Sequence, residues 1–138
     1  MMLPDSIRSL ILEEQARQEN RFIEGIEMDS YLARLAERAE ILSDCVAGRC
    51  RGFVAFYCND QATRQAFITL VLVDPRDREL GIGRALVSGV LELARGRGFT
   101  SCRLQVAPRN EVAQAMYLSL GFRVVESDAG RHFLEVGL

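Results

Sequence analysis

Hydrophobic positions recur along this chain with two periods, and the switches between them lay out the elements. Ile7, Leu10 and Ile11 share one face of a helix over residues 6–20, with Asp5 or Ser6 as its cap. Leu32, Leu35, Ala39 and Leu42 repeat the helical spacing behind a cap at Asp29 or Ser30. Cys45-Val46-Ala47 then reads as a short strand and Gly48-Arg49 as a turn. Residues 51–58, rich in aromatic and aliphatic side chains, predict a strand, and Asn59-Asp60-Gln61 a turn. Residues 66–73 are nearly all apolar, as in a central strand covered on both faces, and Pro75 ends that ladder. The clearest helix is 81–96, with Ile82, Ala85, Leu86, Val90 and Leu93 on one stripe and Gly96 and Gly98 as stops. A strand at 102–106 is broken by Pro108. Ala113, Met116, Tyr117 and Leu120 mark a helix over 110–120, stopped by Gly121. Strands at 122–126 and 132–136 close the chain around an Asp128-Ala129-Gly130 turn. The order α-α-β-β-β-α-β-α-β-β predicts an α/β fold, a mixed sheet with helices packed on it.

Composition narrows the picture. A chain of 138 residues, 49% of them hydrophobic, suits one folded domain over 1–138 and excludes disorder. No apolar run reaches the ~20 residues that cross a bilayer. The start, Met1-Met2-Leu3-Pro4-Asp5, lacks the basic and then apolar order of a signal peptide, so the expected compartment is the cytoplasm, without membrane association. Cys45, Cys50, Cys58 and Cys102 form no CxxC pair, and His132 is the only histidine, so no metal site is expected and the thiols read as free and mostly buried. Cys58, beside Asn59-Asp60, is the thiol whose setting allows reactivity. The net charge of −2 excludes a general nucleic-acid binder. All 17 basic side chains are Arg, and they are unevenly spread. Residues 1–50 carry a balance of −4 and residues 74–109 one of +3, so an anionic ligand favours the second segment and a cationic one the first.

Candidate chemistry centres on the run from Val73 to Arg84, which joins the apolar strand to the clearest helix. Gly81 and Gly83 let the backbone come close to a ligand, and a helix N-terminus offers unpaired N–H groups and partial positive charge. Arg78 and Arg84 add charge for a diphosphate. A P-loop needs Gly-Lys-Ser/Thr, and the chain has no Lys. A dinucleotide turn needs a third glycine, where Leu86 stands. By itself the two-glycine pattern fits an ordinary strand-to-helix turn equally well.

Arg78-x-x-Gly81-x-Gly83 after Val73-Asp74-Pro75 resembles the coenzyme A motif of the GNAT family of N-acetyltransferases. About 30 residues later, Leu104-x-Val106, Asn110, Met116-Tyr117 and Leu120-Gly121-Phe122 resemble the second signature of the same family. The resemblance covers residues 51–126. It implies a mixed sheet splayed between the strands 66–73 and 102–106, with acetyl-coenzyme A as co-substrate in the gap. Backbone N–H groups of Arg78, Glu79, Leu80, Gly81, Ile82, Gly83 and Arg84 would hold the diphosphate. Val71, Leu72 and Val73 would lend backbone groups to the pantetheine and the acetyl carbonyl, Asn110 would lie near the pantetheine, and Tyr117 would protonate the departing thiolate. The implied acceptor is an amine of a small molecule, an amino sugar or a protein.

Relatives often carry a Glu on the central strand or in Leu-Glu-Val on the next; here no carboxylate lies on the first and Gln105 stands on the second. The amide of Gln105 cannot act as a base but can orient water or acceptor. The working expectation is proton removal through ordered water arranged by Gln105 and Asn59. Glu24, Glu27, Asp29, Asp60 and His132 are the other candidates, each better read as a solvated surface group; Glu24, Glu27 and Asp29 also suit a cationic acceptor, although helix N-termini favour acids in any case. A non-catalytic module that binds or senses acetyl-coenzyme A is the alternative, and a transferase of another acyl group a third. The family usually begins with a strand, whereas this chain begins with a helix. The sheet is then one strand short, or its edge awaits a second copy, which allows a homodimer.

Overall fold

The computed structural model describes residues 2–138. Met1, part of the N-terminal reading above, lies outside the described residues. Helices α1 (Asp5–Arg17) and α2 (Met28–Arg38) precede strands β1 (Glu40–Val46), β2 (Arg49–Tyr57) and β3 (Gln65–Val73). A short 3-10 turn at Pro75–Asp77 leads to α3 (Ile82–Gly96), followed by β4 (Ser101–Val106), α4 (Glu111–Ser119), β5 (Arg123–Asp128) and β6 (Arg131–Gly137). The element order is the one the hydrophobic pattern predicts. All six strands join one mixed sheet in the order β1-β2-β3-β4-β6-β5, with β3 and β4 its only parallel neighbours. No strand precedes α1 among the described residues, and β1 and β5 form the two open edges.

Each face of the sheet carries its own core. On one, Val54, Phe56, Ala66, Ile68, Leu104 and Leu134 pack under α3 and against Tyr117 of α4. On the other, Phe53, Ala55, Leu70 and Leu72 pack under Ile7, Leu10 and Ile11 of α1 and Leu32 and Leu35 of α2. Strict alternation would keep Ala66, Ile68, Leu70 and Leu72 on one face. They divide because the β2–β3 register slips: Ala55 faces Leu70 and Phe56 faces Ile68, leaving Thr69 as a bulged residue. The central strand is therefore covered on both faces, and the bulge turns it over midway.

Several sequence boundaries are corrected. The helical repeat through Ala39 and Leu42 stops at Arg38, and β1 begins at Glu40 instead of Cys45. Pairing decides this, since Glu40 faces Phe56 and Leu42 faces Val54, and a ladder overrides local periodicity. Helix α1 ends at Arg17, because Glu19 and Asn20 take left-handed φ values of 52° and 65°. The proposed caps also change. Pro4 opens α1 with no side-chain cap from Asp5 or Ser6. At α2 the Glu27 carboxylate accepts from Asp29 N and Ser30 N, so the two predicted caps are the donors. Glycine lets α3 seat closely on β2 at Gly52: a Cβ there would meet Ile82 Cγ2 at 3.1 Å and Leu72 O at 3.2 Å, tighter than ordinary contacts, so its neighbours would have to give by a few tenths of an ångström.

Candidate active site

The site is built on a parting of strands. β3 and β4 pair only from Gln65↔Ser101 to Ile68↔Leu104; β3 then runs on to Val73 and β4 to Val106 without each other. The opening coincides with the bulge at Thr69. Asp74 N donates to Arg51 O at 2.8 Å, so alternation directs the main chain of Leu72 and Leu70 at β2 and that of Val71 and Val73 into the gap. Val71 therefore offers its backbone groups there and Val73 its N–H, the Val73 carbonyl being taken by Arg78 Nε, while Leu72 packs its side chain toward α1 and α2.

At the end of the gap the chain forms a cradle of main-chain N–H groups. Glu79 and Gly81 both take left-handed φ, 68° and 79°, on either side of the exposed Leu80. Such alternation turns successive N–H groups to one side. Gly81 is also the N-cap of α3 and supplies no side-chain hydrogen bond. The first intrahelical acceptor is Gly81 O, taken by Ala85 N, so the N–H groups of Ile82, Gly83 and Arg84 stay open at the positive end of a 15-residue helix. By contrast, side chains cap α2 and α4. Gly83 faces the space between the end of β3 and α4: a Cβ on it would lie 3.6 Å from both Val73 Cγ2 and Met116 Sδ.

The two arginines assigned to the diphosphate already have protein partners. Arg78 Nε donates to Val73 O at 3.1 Å and Nη2 to Glu14 at 3.2 Å. Arg84 donates to Ser119 Oγ, tying α3 to α4. Glu14 was missed in the sequence, although it continues the buried stripe Ile7-Leu10-Ile11, where a carboxylate requires partners. Burial alone would raise its pKa, but hydrogen bonds from Gln18 and Arg17 and the charge of Arg78 bring it below the usual value.

Two acids brace the turn behind the cradle. Asp77 accepts a bidentate pair from Arg49 at 2.7 and 3.1 Å, and Asp74 accepts from the backbone N, Nε and Nη2 of Arg76 at 2.9, 3.1 and 2.7 Å. The Arg76 hydrogen bonds outweigh burial and hold the Asp74 carboxyl at about 2. A lowered folded pKa gives stability that is present above the unfolded value of ~3.9 and lost as pH falls toward 2. Asp74→Asn is therefore expected to lower stability by about 1–2 kcal/mol at pH 7, discounted for the exposed Arg76, and by little near pH 2. Urea unfolding of both proteins across that range checks it.

Asn110 caps α4, its Oδ1 accepting from Ala113 N at 3.2 Å, which leaves its Nδ2 group available. Tyr117 is 7% exposed, in an edge contact with Phe122 at 5.7 Å between centroids. Its hydroxyl has no side-chain hydrogen bond, and Arg103 Nε is the only fully sealed side-chain polar atom without a partner among the described residues, so the hydroxyl keeps access to open space. Burial first, and the neighbouring Cys102 second, push the phenol up to about 12. Gln105 is exposed on β4 opposite Phe133, just past the last β3–β4 pair.

Other candidates lie elsewhere or are occupied. Glu27 is a cap, and the N–H of Asp29 leads the interactions that lower its pKa. Asn59 follows β2 and stands beside the start of β3, eight residues from Val73 along the strand, so it is not brought to the gap. Asp60 caps its own turn through Ala62 N and Thr63 N. His132 faces Val106 across the ladder and bonds Ser127 through Nδ1 at 2.8 Å. Cys45 is exposed and the other three thiols are buried, Cys58 among them. No helix among the described residues is long and apolar enough to cross a membrane.

The fold has known counterparts. An L-2,4-diaminobutyric acid acetyltransferase of Nocardia farcinica is 31% identical over 78 residues, 56% of this chain and 40% of that protein. The chain spans about two fifths of the length of the curated relatives it matches. A PaiA N-acetyltransferase of Thermoplasma acidophilum, solved in complex with coenzyme A, superposes with a TM-score of 0.69 at 19% identity, covering 100% of this chain and 81% of that one. The ribosomal-protein-S18-alanine N-acetyltransferase of Escherichia coli gives 0.75 at 19% identity, covering 99% and 91%. The model of the acetyltransferase (GNAT) family matches residues 7–122, which include both sequence signatures and Tyr117. The chain belongs to the acetyltransferase (GNAT) family.

Proposed function

We propose that this protein is an acetyl-coenzyme A-dependent N-acetyltransferase acting on an amine by direct attack in a ternary complex. The observation that carries the reading is the β3–β4 gap, which ends on the uncapped N-terminus of α3. A diphosphate fits there, since the N–H groups of Ile82, Gly83 and Arg84 and the turn from Arg78 to Gly81 lack other acceptors of comparable charge. Main-chain groups of Val71 and Val73 suit an extended amide-bearing arm, with Leu72 behind them, and the free Nδ2 of Asn110 adds a donor. Acetyl-coenzyme A supplies an activated acyl group whose leaving thiolate has a reference pKa of ~8.5.

The amine nitrogen bonds to the acyl carbon, the carbon–sulfur bond breaks, and the amine proton goes to water. Main-chain N–H donors at the bulge stabilise the negative charge that develops on oxygen, by about 3–4 kcal/mol per well-aimed donor. Tyr117, kept protonated by burial, gives its proton to the departing sulfur and is reprotonated from the water that received the amine proton. Gln105 orients the water that takes the amine proton; Glu27 is engaged as a cap and does not serve as the base.

The decisive assay mixes protein, acetyl-coenzyme A and a panel of primary amines and follows free thiol. Amine-dependent release supports the transferase. A second reading, a non-catalytic sensor of acetyl-coenzyme A, draws on the absence of a carboxylate at Gln105. Binding without thiol release on any amine would favour it.

A further inference from the structure

Between the α1–α2 connection and the β4–α4 connection lies a cavity of about 600 Å³, lined by Arg17, Gln18, Glu19, Arg21, Glu24 and Arg109. Both walls are braced. Gln15 donates to Ile23 O at 3.0 Å and accepts from Ile23 N at 2.7 Å, folding the first connection back on α1. Gln114 donates to Ala107 O at 3.2 Å and Pro108 O at 2.7 Å, fixing the segment that carries Arg109. Two links tie it to the candidate site. Glu14, which bonds Arg17, also bonds Arg78 of the cradle, and Arg109 directly precedes Asn110.

Of the seven arginines in residues 74–109, Arg76, Arg78, Arg84, Arg95, Arg97 and Arg103 all have side-chain partners. Arg109 has none among the described residues. Within the cavity Arg17 is held by Glu14 and Arg21 by Glu19, whereas Glu24 has no partner. One open depression thus presents a guanidinium and a carboxylate that have no side-chain partner among the described residues, both exposed.

We propose that this cavity receives an acceptor with a zwitterionic head, its carboxylate on Arg109 and its ammonium on Glu24. An ammonium held by Glu24 keeps its proton and cannot attack, so the acetylated group is a second, more distant amine. The acceptor class is therefore a diamino acid or a molecule with the same head. This deepens the transferase reading above and rests on it for the identity of the gap.

The test uses pairs that differ only in the carboxylate: lysine with 1,5-diaminopentane, and ornithine with 1,4-diaminobutane. Calorimetric titration of the protein saturated with coenzyme A should show the amino acid binding at least about tenfold tighter than its partner. In Arg109→Gln, which removes no intramolecular bond and should melt at the wild-type temperature, that ratio should fall to about one. Equal binding within each pair, no measurable binding of either amino acid, or a ratio unchanged in the variant would overturn the proposal. If Arg109 grips a phosphate of coenzyme A instead, the variant weakens coenzyme A binding and leaves the ratio unchanged, which also overturns it. Thiol release from acetyl-coenzyme A with the same pairs reads transfer separately. Discrimination in binding without any release would keep the cavity assignment and remove the catalytic reading.

Discussion

Gly83→Val is expected to raise the dissociation constant for acetyl-coenzyme A by at least about 100-fold while the protein stays folded. Gly83 lies in the first turn of α3, where its N–H is one of three left open. A Cβ on Gly83 would lie 3.6 Å from both Val73 Cγ2 and Met116 Sδ, where the end of β3 faces α4. A Cβ alone is an ordinary contact, so Gly83→Ala should keep most of the affinity and gain helix propensity of up to ~1 kcal/mol. The two γ-methyls of valine extend into the space between β3 and α4, over the N–H groups that would meet the diphosphate. The pair separates blockage from unfolding: melting temperatures of both variants should remain near wild type, with affinity lost only in the valine. An unchanged dissociation constant in Gly83→Val would remove the α3 N-terminus from the binding site.

Tyr117→Phe should lower kcat about 100-fold, toward the weak end of acid–base catalysis, because a thiolate needs only modest assistance to leave. KM for acetyl-coenzyme A should hardly move, and stability should hold because the hydroxyl makes no hydrogen bond within the protein and the ring keeps its edge contact with Phe122. The pH profile adds a readout that a packing role would not move. A folded pKa raised to about 12 keeps the phenol protonated through the working range. Its contribution to stability is accordingly complete below the unfolded value of ~10 and lost as pH rises toward 12. The wild-type rate should therefore climb with deprotonation of the amine and show no descending limb between about pH 7 and 10. A descending limb there, abolished by Tyr117→Phe, would contradict the raised pKa, and an unchanged kcat in Tyr117→Phe would contradict the role as acid.

Much of this was legible in the sequence because it depends on local rules. The apolar run ending at Pro75, the glycines of the turn and the stripe of α3 each follow from backbone geometry and burial. They located the cradle. What escaped the sequence depends on partners distant along the chain. The bulge at Thr69 exists only relative to β2, and the parting of β3 from β4 only as a loss of register. Arg78 and Arg84 looked available for a diphosphate because Glu14 and Ser119, their partners, lie 64 and 35 residues away. Asn59 looked close to the chemistry by composition, yet antiparallel pairing of β2 with β3 carries it to the far end of the sheet. Arg109 carried no signal of its own; it emerges as the arginine that remains once the other six of its segment have found partners.

The central claim is that the open N-terminus of α3 and the β3–β4 gap take acetyl-coenzyme A. The most direct test is the melting temperature of the whole protein with increasing acetyl-coenzyme A. At 100 times the dissociation constant, binding to the folded state alone adds about 2.7 kcal/mol, a rise of several degrees for a chain of this size. The account predicts that rise, growing with the logarithm of concentration and absent in Gly83→Val. A melting temperature that does not move in the wild-type protein, even at high concentration, would contradict it.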